Sequence, residues 1–417
     1  MRYISVEEAI ALLIHHTPPL QETEWVPLTQ SSGRTLAMTI TAQSAAPPFA
    51  RSAMDGYALK ALDTPGTFRI AGYVSAGEVL RKPLQAGDAV RIMTGAPLPE
   101  GLDAVIEQEA VELQAGVVHV AQRVQPGRNV TLQGSEFPQG TVLMRPGQRL
   151  GSLQIGVLAL GGYAHIAVYR RLRVLLVTSG DELIDPGNAL GPGQIYNVNA
   201  SLFYSLLHEL GADVTVQHLP DTLDAVHEFF NRPDLAAYDL VLTTGGVSVG
   251  DKDHIIHFLQ QRAQLLFWRT DMHPGKSIAA ARYQGTTILA LSGNPGAALM
   301  SWYNIALPFL VALLHAQLPI ERMSGRLLQD FPKKTRETRF LRARLIRQPD
   351  GWYFDTNLPQ QSDRITTYEA ADVLVVIPHG SPPVPAGTVL EGKKIPGLGS
   401  LHLTWIAREN VASDPNS

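Results

Sequence analysis

The feature that most constrains this chain is the stretch from Leu172 to Leu314, where short apolar runs rich in β-branched residues alternate with amphipathic helical segments. The runs at Val174–Thr178, Asp213–Gln217, Leu240–Thr244 and Thr287–Leu291 read as strands. Ser201–Leu210, Leu223–Phe230, Asp253–Gln261 and Gly296–Leu314 read as helices. This alternation predicts a mostly parallel sheet covered by helices. In an open sheet of that kind ligands lie outside the carboxyl ends of the strands, so chemistry is expected in the loops that follow them.

Three of those loops are unusual. Thr178-Ser179-Gly180-Asp181-Glu182-Leu183 places two adjacent carboxylates at a glycine turn. Thr244-Gly245-Gly246-Val247-Ser248-Val249-Gly250-Asp251-Lys252-Asp253 can point successive backbone N–H groups and a helix N-terminus at an anion, with Asp253 as a hard oxygen ligand nearby. Leu291-Ser292-Gly293-Asn294-Pro295-Gly296 again joins strand to helix through glycine. Together they suggest a phosphate cradle beside a carboxylate-held Mg²⁺, although each alone also fits a tight strand-to-helix turn. Met272-His273-Pro274-Gly275-Lys276-Ser277 presents a lysine at a strand end, for an oxyanion or simply for solvent. Asp221 reaches the same sheet edge but also reads as a helix N-cap.

Around this block the texture differs. Ser5 with Glu8 forms a capping box ahead of a helix bearing Ile10, Leu13 and Ile14. From about Thr39 to Leu150 short runs such as Phe68-Arg69-Ile70, Ala89–Ile92 and Val117–Val120 alternate with Gly and Pro turns, a β-rich texture. After Leu318 short strands return at Phe340–Leu345, Trp352–Asp355 and Val373–Ile377, ahead of the polar tail Ala412–Ser417. Four blocks in 417 residues fit two to four domains.

Composition narrows the chemistry. Hydrophobic residues at 45% and charged residues at 17% describe a globular chain. A net charge of −4 gives no general attraction to nucleic acid or acidic membranes, so an anion site must be local. With no cysteine, thiolate metal sites, iron–sulfur clusters and Cys nucleophiles are excluded. The apolar stretches around Ile155–Val168 and Ala306–Leu314 are too short for a spanning helix, and no h-region precedes the first helix, so a cytoplasmic protein without membrane segments is expected. Lys333 to Arg344 holds six basic residues and one acid. Without interleaved aromatic residues it reads as a local anion-binding strand, or a solvated strand face, rather than a nucleic-acid surface. His254 and His257 are three apart on a predicted helix but lack a third ligand at sensible spacing. Serine-hydrolase, Walker and Rossmann fingerprints are absent. Asp55, within Asp-Gly, reads on its own as a hairpin corner.

Five motifs carry a resemblance: Ser-Ala-Met-Asp-Gly-Tyr-Ala at 52–58, Met-Thr-Gly-Ala-Pro at 93–97, Thr-Ser-Gly-Asp-Glu-Leu at 178–183, Gly-Gly-Val-Ser-Val-Gly at 245–250 and Gly-Asn-Pro at 293–295. In this order and at compatible spacing, from the first helix to about Pro396, the chain resembles the molybdopterin molybdenumtransferases, the MoeA and gephyrin E-domain family. The resemblance implies a multidomain α/β and β fold: an elongated homodimer with a segmented N-terminal helical and β-rich region, a molybdopterin-binding three-layer α/β domain and a C-terminal β-barrel-like domain. The implied boundaries are 1–168, with a β-rich insertion at about 42–139, then 169–316, 323–398 and a tail at 399–417. The implied reaction inserts molybdate into adenylylated molybdopterin with Mg²⁺ and releases AMP, in a cleft formed at the dimer interface. Molybdopterin adenylyltransferase and acceptor molybdoenzymes are the implied partners.

Carried over by motif, the resemblance assigns metal contacts to Glu182, Asp221 and Asp253. It assigns pterin or phosphate contacts to Asp181, Gly245, Gly246, Ser248, Gly293, Asn294 and Pro295. Catalytic roles fall to Asp55, Thr94, Glu136, Lys276, Arg342 and Ser362. Departures from the family pattern are His273 for a common Lys, Ser135-Glu136 for Glu-Asp, Asn197 for Asp and Ser292 for Pro. They leave open a second reading, a divergent paralogue that carries the pterin or cofactor to one molybdoenzyme without efficient insertion.

Overall fold

The computed structural model describes residues 3–248, 250, 253–316 and 321–394. Val249, Asp251 and Lys252 of the second glycine loop, and the expected tail at 399–417, lie outside the described residues. The chain forms two compact units. One comprises residues 1–24, 33–35 and 169–417, the other residues 25–32 and 36–168.

The first unit is built on a six-stranded sheet. Its order is Asp213–Leu219, Arg173–Ser179, Leu240–Thr244, Thr286–Leu291, Ala279–Tyr283, Gln264–Trp268. The first four strands are parallel, as the alternating pattern requires. The last two pairings are antiparallel: Ala279–Tyr283 alone runs against the other strands, because it returns directly into Thr286–Leu291 through a short turn with no room for a crossover helix. Side-chain alternation sends Val174 and Leu176 to one core, with Phe203, Leu206 and Trp302. Leu175 and Val177 face a second core with Val226, Phe230, Ile255 and Phe258. Helices therefore cover both faces and the domain is three-layered.

Helix Val6–His16, whose Ser5 hydroxyl accepts the Glu8 amide at 3.0 Å, buries Val6, Ala9 and Leu13 in the first of these cores. It packs with the α/β sheet although its sequence neighbours are β-rich. Pro295–Leu313 is long and apolar enough to cross a membrane, but most of it is buried in the same core. It loosens into a π turn over Trp302–Ala306, just before Pro308, which has no N–H for the carbonyl four residues back.

Arg322–Leu327, Thr338–Gln348, Gly351–Asp355, Val373–Ile377 and Val389–Lys394 close into a five-stranded barrel around Leu327, Leu341, Ala343, Phe354 and Val375. A half-buried network ties the α/β sheet's edge. Arg170 bridges Asp239 at 2.7 Å and Glu22 at 2.6 Å, and Asp239 also accepts the Arg173 amide at 2.8 Å. Burial pushes the Asp239 carboxyl up, but these donors outweigh it and hold the group below its ordinary range.

The second unit holds a curled six-stranded sheet in the order Ala104–Glu107, Gly56–Leu59, Asp88–Ile92, Gly66–Val74, Val117–Val120, Glu112–Gln114. Its two faces bury separate clusters, one around Phe68 and Ile106 and one around Val90 and Ile92. Helix Ser152–Leu160 packs in a further core with Leu36, Ile40, Leu150 and Val168.

Candidate functional site

The parallel register aligns four strand ends: Ser179 lies beside Leu219, Thr178 beside Thr244, and Thr244 beside Leu291. The loops that follow converge on one cleft of about 210 Å³, lined by Ser179, Glu182, Asp221, Gly245, Gly246, Val247, Ser248, Asp253, Ser292 and Gly293. The cleft sits where connections turn to opposite sides of the Arg173–Ser179 strand, the switch point at which such sheets bind ligands. The three glycine loops singled out by sequence thus meet.

Gly245 adopts φ +100°, and a Cβ there would stand 2.8 Å from the Ser179 carbonyl, so only glycine lets these two loops touch. Asn199 Nδ2 donates to the Gly293 carbonyl at 2.8 Å and fixes the third loop. Asn197 caps helix Val198–Glu209 through its Oδ1, which accepts the Ala200 amide at 3.1 Å. Its Nδ2 donates to Thr178 Oγ1 at 2.9 Å. This departure from Asp is accommodated by a buried, fully paired amide.

The three acids in the cleft are differently committed. Ser179 Oγ donates a short hydrogen bond to Asp221, whose amide donates to Asp181 Oδ1 at 3.1 Å. Asp221 is not the helix cap: Thr222 takes that role, accepting the Ala225 amide. Asp253 Oδ2 accepts the Gly250 amide at 2.7 Å. Glu182 is exposed; its carbonyl accepts the Ile195 amide at 2.9 Å, while its carboxylate lies against Gly180 without a hydrogen bond among the described residues. The same residues contain no ready group of three His, Cys, Asp or Glu ligands. These hard oxygen donors fit Mg²⁺, which takes one or two carboxylates and completes its shell with water and substrate phosphate. Ser179 and Ser292 line the cleft although neither was among the expected contacts; their signal was a hydroxyl at or just after a strand's last residue.

A second polar cluster lies where the barrel meets helix Pro295–Ser301. Arg342, on strand Thr338–Gln348, is 1% exposed. Its Nη2 donates to the Pro359 and Gln361 carbonyls at 2.9 and 3.0 Å, while Nε and Nη1 have no partner. Strand alternation correctly puts Arg342 opposite Leu341 and Ala343, but that outer face is packed on the α/β core, so the solvated-face expectation fails for Arg342 and holds for exposed Arg344. Burial pulls the guanidinium below its ordinary pKa, yet it remains a cation at neutral pH. Ser362 Oγ accepts from Asn294 Nδ2 at 3.3 Å, which joins this cluster to the third glycine loop. Pro295 opens the helix that follows Asn294. Lys276 is exposed on its turn and is not among the cleft-lining residues. Its neighbour His273 is half-buried, and burial, then Arg339, hold its imidazole below the ordinary value of 6.5, with Lys276 and Lys333 adding to the effect against Glu337. The replacement of Lys by His therefore removes a charge at pH 7.

In the second unit, Gly56 pairs with Ile92, which brings the ends of two distant motifs together. Asp55 Oδ1 accepts the Thr94 hydroxyl at 2.6 Å and the Thr94 amide at 2.7 Å. These two bonds hold the Asp55 carboxyl below its usual range, with Arg91 assisting. Ser52 fixes both turns: its hydroxyl donates to the Met54 carbonyl at 2.6 Å and its carbonyl accepts the Gly95 amide at 2.8 Å. Glu136 is exposed on a turn whose amide donates to the Ala46 carbonyl at 3.0 Å, and no hydrogen bond among the described residues links it to Asp55 or Thr94.

Residues 4–162 match a family model described as the MoeA N-terminal region (domain I and II), residues 175–312 a probable molybdopterin binding domain, and residues 324–393 the MoeA C-terminal region (domain IV). A molybdopterin molybdenumtransferase of Bacillus subtilis is 34% identical over 394 residues, covering 91% of each chain. One from Haemophilus influenzae is 34% identical over 318 residues, 75% of this chain and 78% of that protein. The crystal structure of the molybdopterin biosynthesis MoeA protein from Pyrococcus horikosii superposes with a TM-score of 0.78 at 27% identity, covering 94% of this chain and 99% of that one.

Proposed function

The chain belongs to the MoeA family, and from that premise we propose that it takes adenylylated molybdopterin and molybdate, inserts the metal and releases AMP in a Mg²⁺-dependent step. It is an enzyme of molybdenum cofactor biosynthesis, a molybdopterin molybdenumtransferase. The observation that carries the finer reading is the convergence of Glu182, Asp221 and Asp253 with the Gly245–Gly246 turn and Ser248 on one strand-end cleft.

In this reading Gly245, Gly246 and Ser248 receive the phosphates through backbone N–H and hydroxyl groups, with Asp181 and the Gly293-Asn294-Pro295 loop shaping the same pocket. Glu182, Asp221 and Asp253 would hold Mg²⁺, which would supply positive charge to neutralise the substrate phosphates. Arg342 receives an oxyanion on its unpaired Nε and Nη1, which suits molybdate, beside Ser362. Lys276 adds a cation for the approaching anions, and Asp55 with Thr94 supplies an ionised carboxylate for the reaction, with Glu136 as a further acid. The enzyme works as a cytoplasmic homodimer that receives its substrate from molybdopterin adenylyltransferase and passes the product to acceptor molybdoenzymes.

Titration of the purified protein with adenylylated molybdopterin tests the cleft. Affinity is expected to fall about tenfold or more when Mg²⁺ is replaced by EDTA. Equal dissociation constants with and without the ion would remove the carboxylates from the binding site.

A further inference from the structure

We propose that Ser179 is a positioning residue for the divalent ion: its hydroxyl pins one oxygen of the Asp221 carboxylate and so presets the other for Mg²⁺, without itself binding the metal. The proposal rests on the reading of Asp221 as a Mg²⁺ ligand.

A carboxylate that keeps its rotational freedom until an ion arrives must give it up on binding, which weakens affinity. The backbone of Asp221 is held: its amide donates to Asp181 Oδ1 at 3.1 Å, and the Thr222 amide donates to the Pro220 carbonyl at 2.9 Å. Its carboxylate receives one hydrogen bond among the described residues, from Ser179 Oγ to Oδ1. Oδ2 has no donor among them and is the oxygen left for a cation. Both side chains line the strand-end cleft. The two residues differ in how firmly they are mounted. Asp221 follows Asp213–Leu219, an edge strand paired on one side. Ser179 ends Arg173–Ser179, which is paired on both sides. The hydroxyl therefore ties an acid at the sheet's edge to the sheet's interior. Its own carbonyl faces Gly245 of the second loop, a contact that does not involve the hydroxyl. Hydrogen bonds of this kind orient metal-binding carboxylates, and their loss weakens metal affinity while the ligands themselves remain.

The test uses the full-length protein saturated with AMP, and reads Mg²⁺ binding by calorimetric titration in wild type, Ser179→Ala, Ser179→Thr, Asp221→Ala and the double variant of Ser179→Ala with Asp221→Ala. Ser179→Ala is expected to raise the Mg²⁺ Kd about tenfold. Ser179→Thr, which keeps the hydroxyl, is expected to stay within about threefold of wild type. With Asp221→Ala already present, the serine substitution is expected to change the Kd by no more than about twofold, because no carboxylate is left to hold. AMP affinity in EDTA is expected to be the same in wild type and Ser179→Ala, since the contact with Gly245 is made by the serine carbonyl. Should Asp221→Ala fail to fold, Asp221→Asn removes the charge at nearly constant size and carries the same expectation. A wild-type Mg²⁺ Kd in Ser179→Ala, with affinity lost in the Asp221 variant, overturns the positioning role and leaves the metal site standing. Additive losses in the double variant make the serine oxygen a ligand in its own right and overturn the proposal. A fall in AMP affinity without the ion marks a displaced loop and overturns it as well. Unchanged Mg²⁺ affinity in the Asp221 variant overturns both the proposal and the reading it rests on.

Discussion

Glu182→Gln is expected to lower molybdate-dependent turnover by about 100-fold while leaving the melting temperature within about 2 °C of wild type. The separation follows from how the three acids are engaged. Asp221 is tied to the Ser179 hydroxyl and Asp253 to the Gly250 amide, so removing either charge also disturbs a loop. Glu182 is exposed, and its one hydrogen bond among the described residues is through its backbone carbonyl, to the Ile195 amide, which glutamine keeps; exposed substitutions without side-chain partners change stability little. The uncommitted carboxylate is the one most available to a divalent ion, and glutamine keeps its shape but not its charge. Rates of AMP release across a Mg²⁺ series check this. Partial recovery at high Mg²⁺ fits weakened metal binding, whereas a wild-type rate at all concentrations would take Glu182 out of the site.

Gly296→Ala is expected to destabilise the first unit by about 3 kcal/mol, the upper range for overpacking, even though alanine is the better helix former by about 1 kcal/mol. A Cβ at this position would stand 2.3 Å from the Ser362 carbonyl oxygen and 3.0 Å from its carbon. Both are backbone atoms and cannot rotate away, so either the helix or the 359–362 segment must shift. That segment supplies the carbonyls that hold Arg342 and the hydroxyl that meets Asn294, so molybdate affinity should fall with stability. Gly156→Ala is the control. Gly156 sits in helix Ser152–Leu160 with nothing within 4 Å of a new Cβ, and its substitution should stabilise by up to about 1 kcal/mol. Denaturant melts of the two variants are expected to move in opposite directions.

What the sequence made legible was whatever depends on local order. The four parallel strands, the glycine loops after three of them and the Ser5 cap all follow from residues near one another. Partner choice in antiparallel sheets is not local. That Asp55 and Thr94 share hydrogen bonds depends on the Gly56 to Ile92 register, which no spacing rule predicts. The ambiguity over Asp221 came from two adjacent cap-forming residues, and the structure gives the cap to Thr222. The burial of Tyr368 was invisible for a different reason. Thr366–Glu369 carries no motif, and Tyr368 is buried there only because the barrel's outer face is covered by the α/β domain. Arg342 was assigned through the resemblance, while strand alternation alone gave its face and not its burial.

The most direct measurement of the central claim is AMP release by the purified protein given adenylylated molybdopterin, with and without molybdate, at fixed Mg²⁺, using Asp55→Asn alongside. Asp55 is a half-buried carboxylate held ionised by Thr94 and lies outside the hydrophobic clusters of its unit, so the variant removes a charge without removing a core contact. The account predicts AMP release that requires molybdate and is lost in Asp55→Asn. Tight binding of the adenylylated pterin with no molybdate-dependent release would contradict it and favour a carrier of the pterin instead.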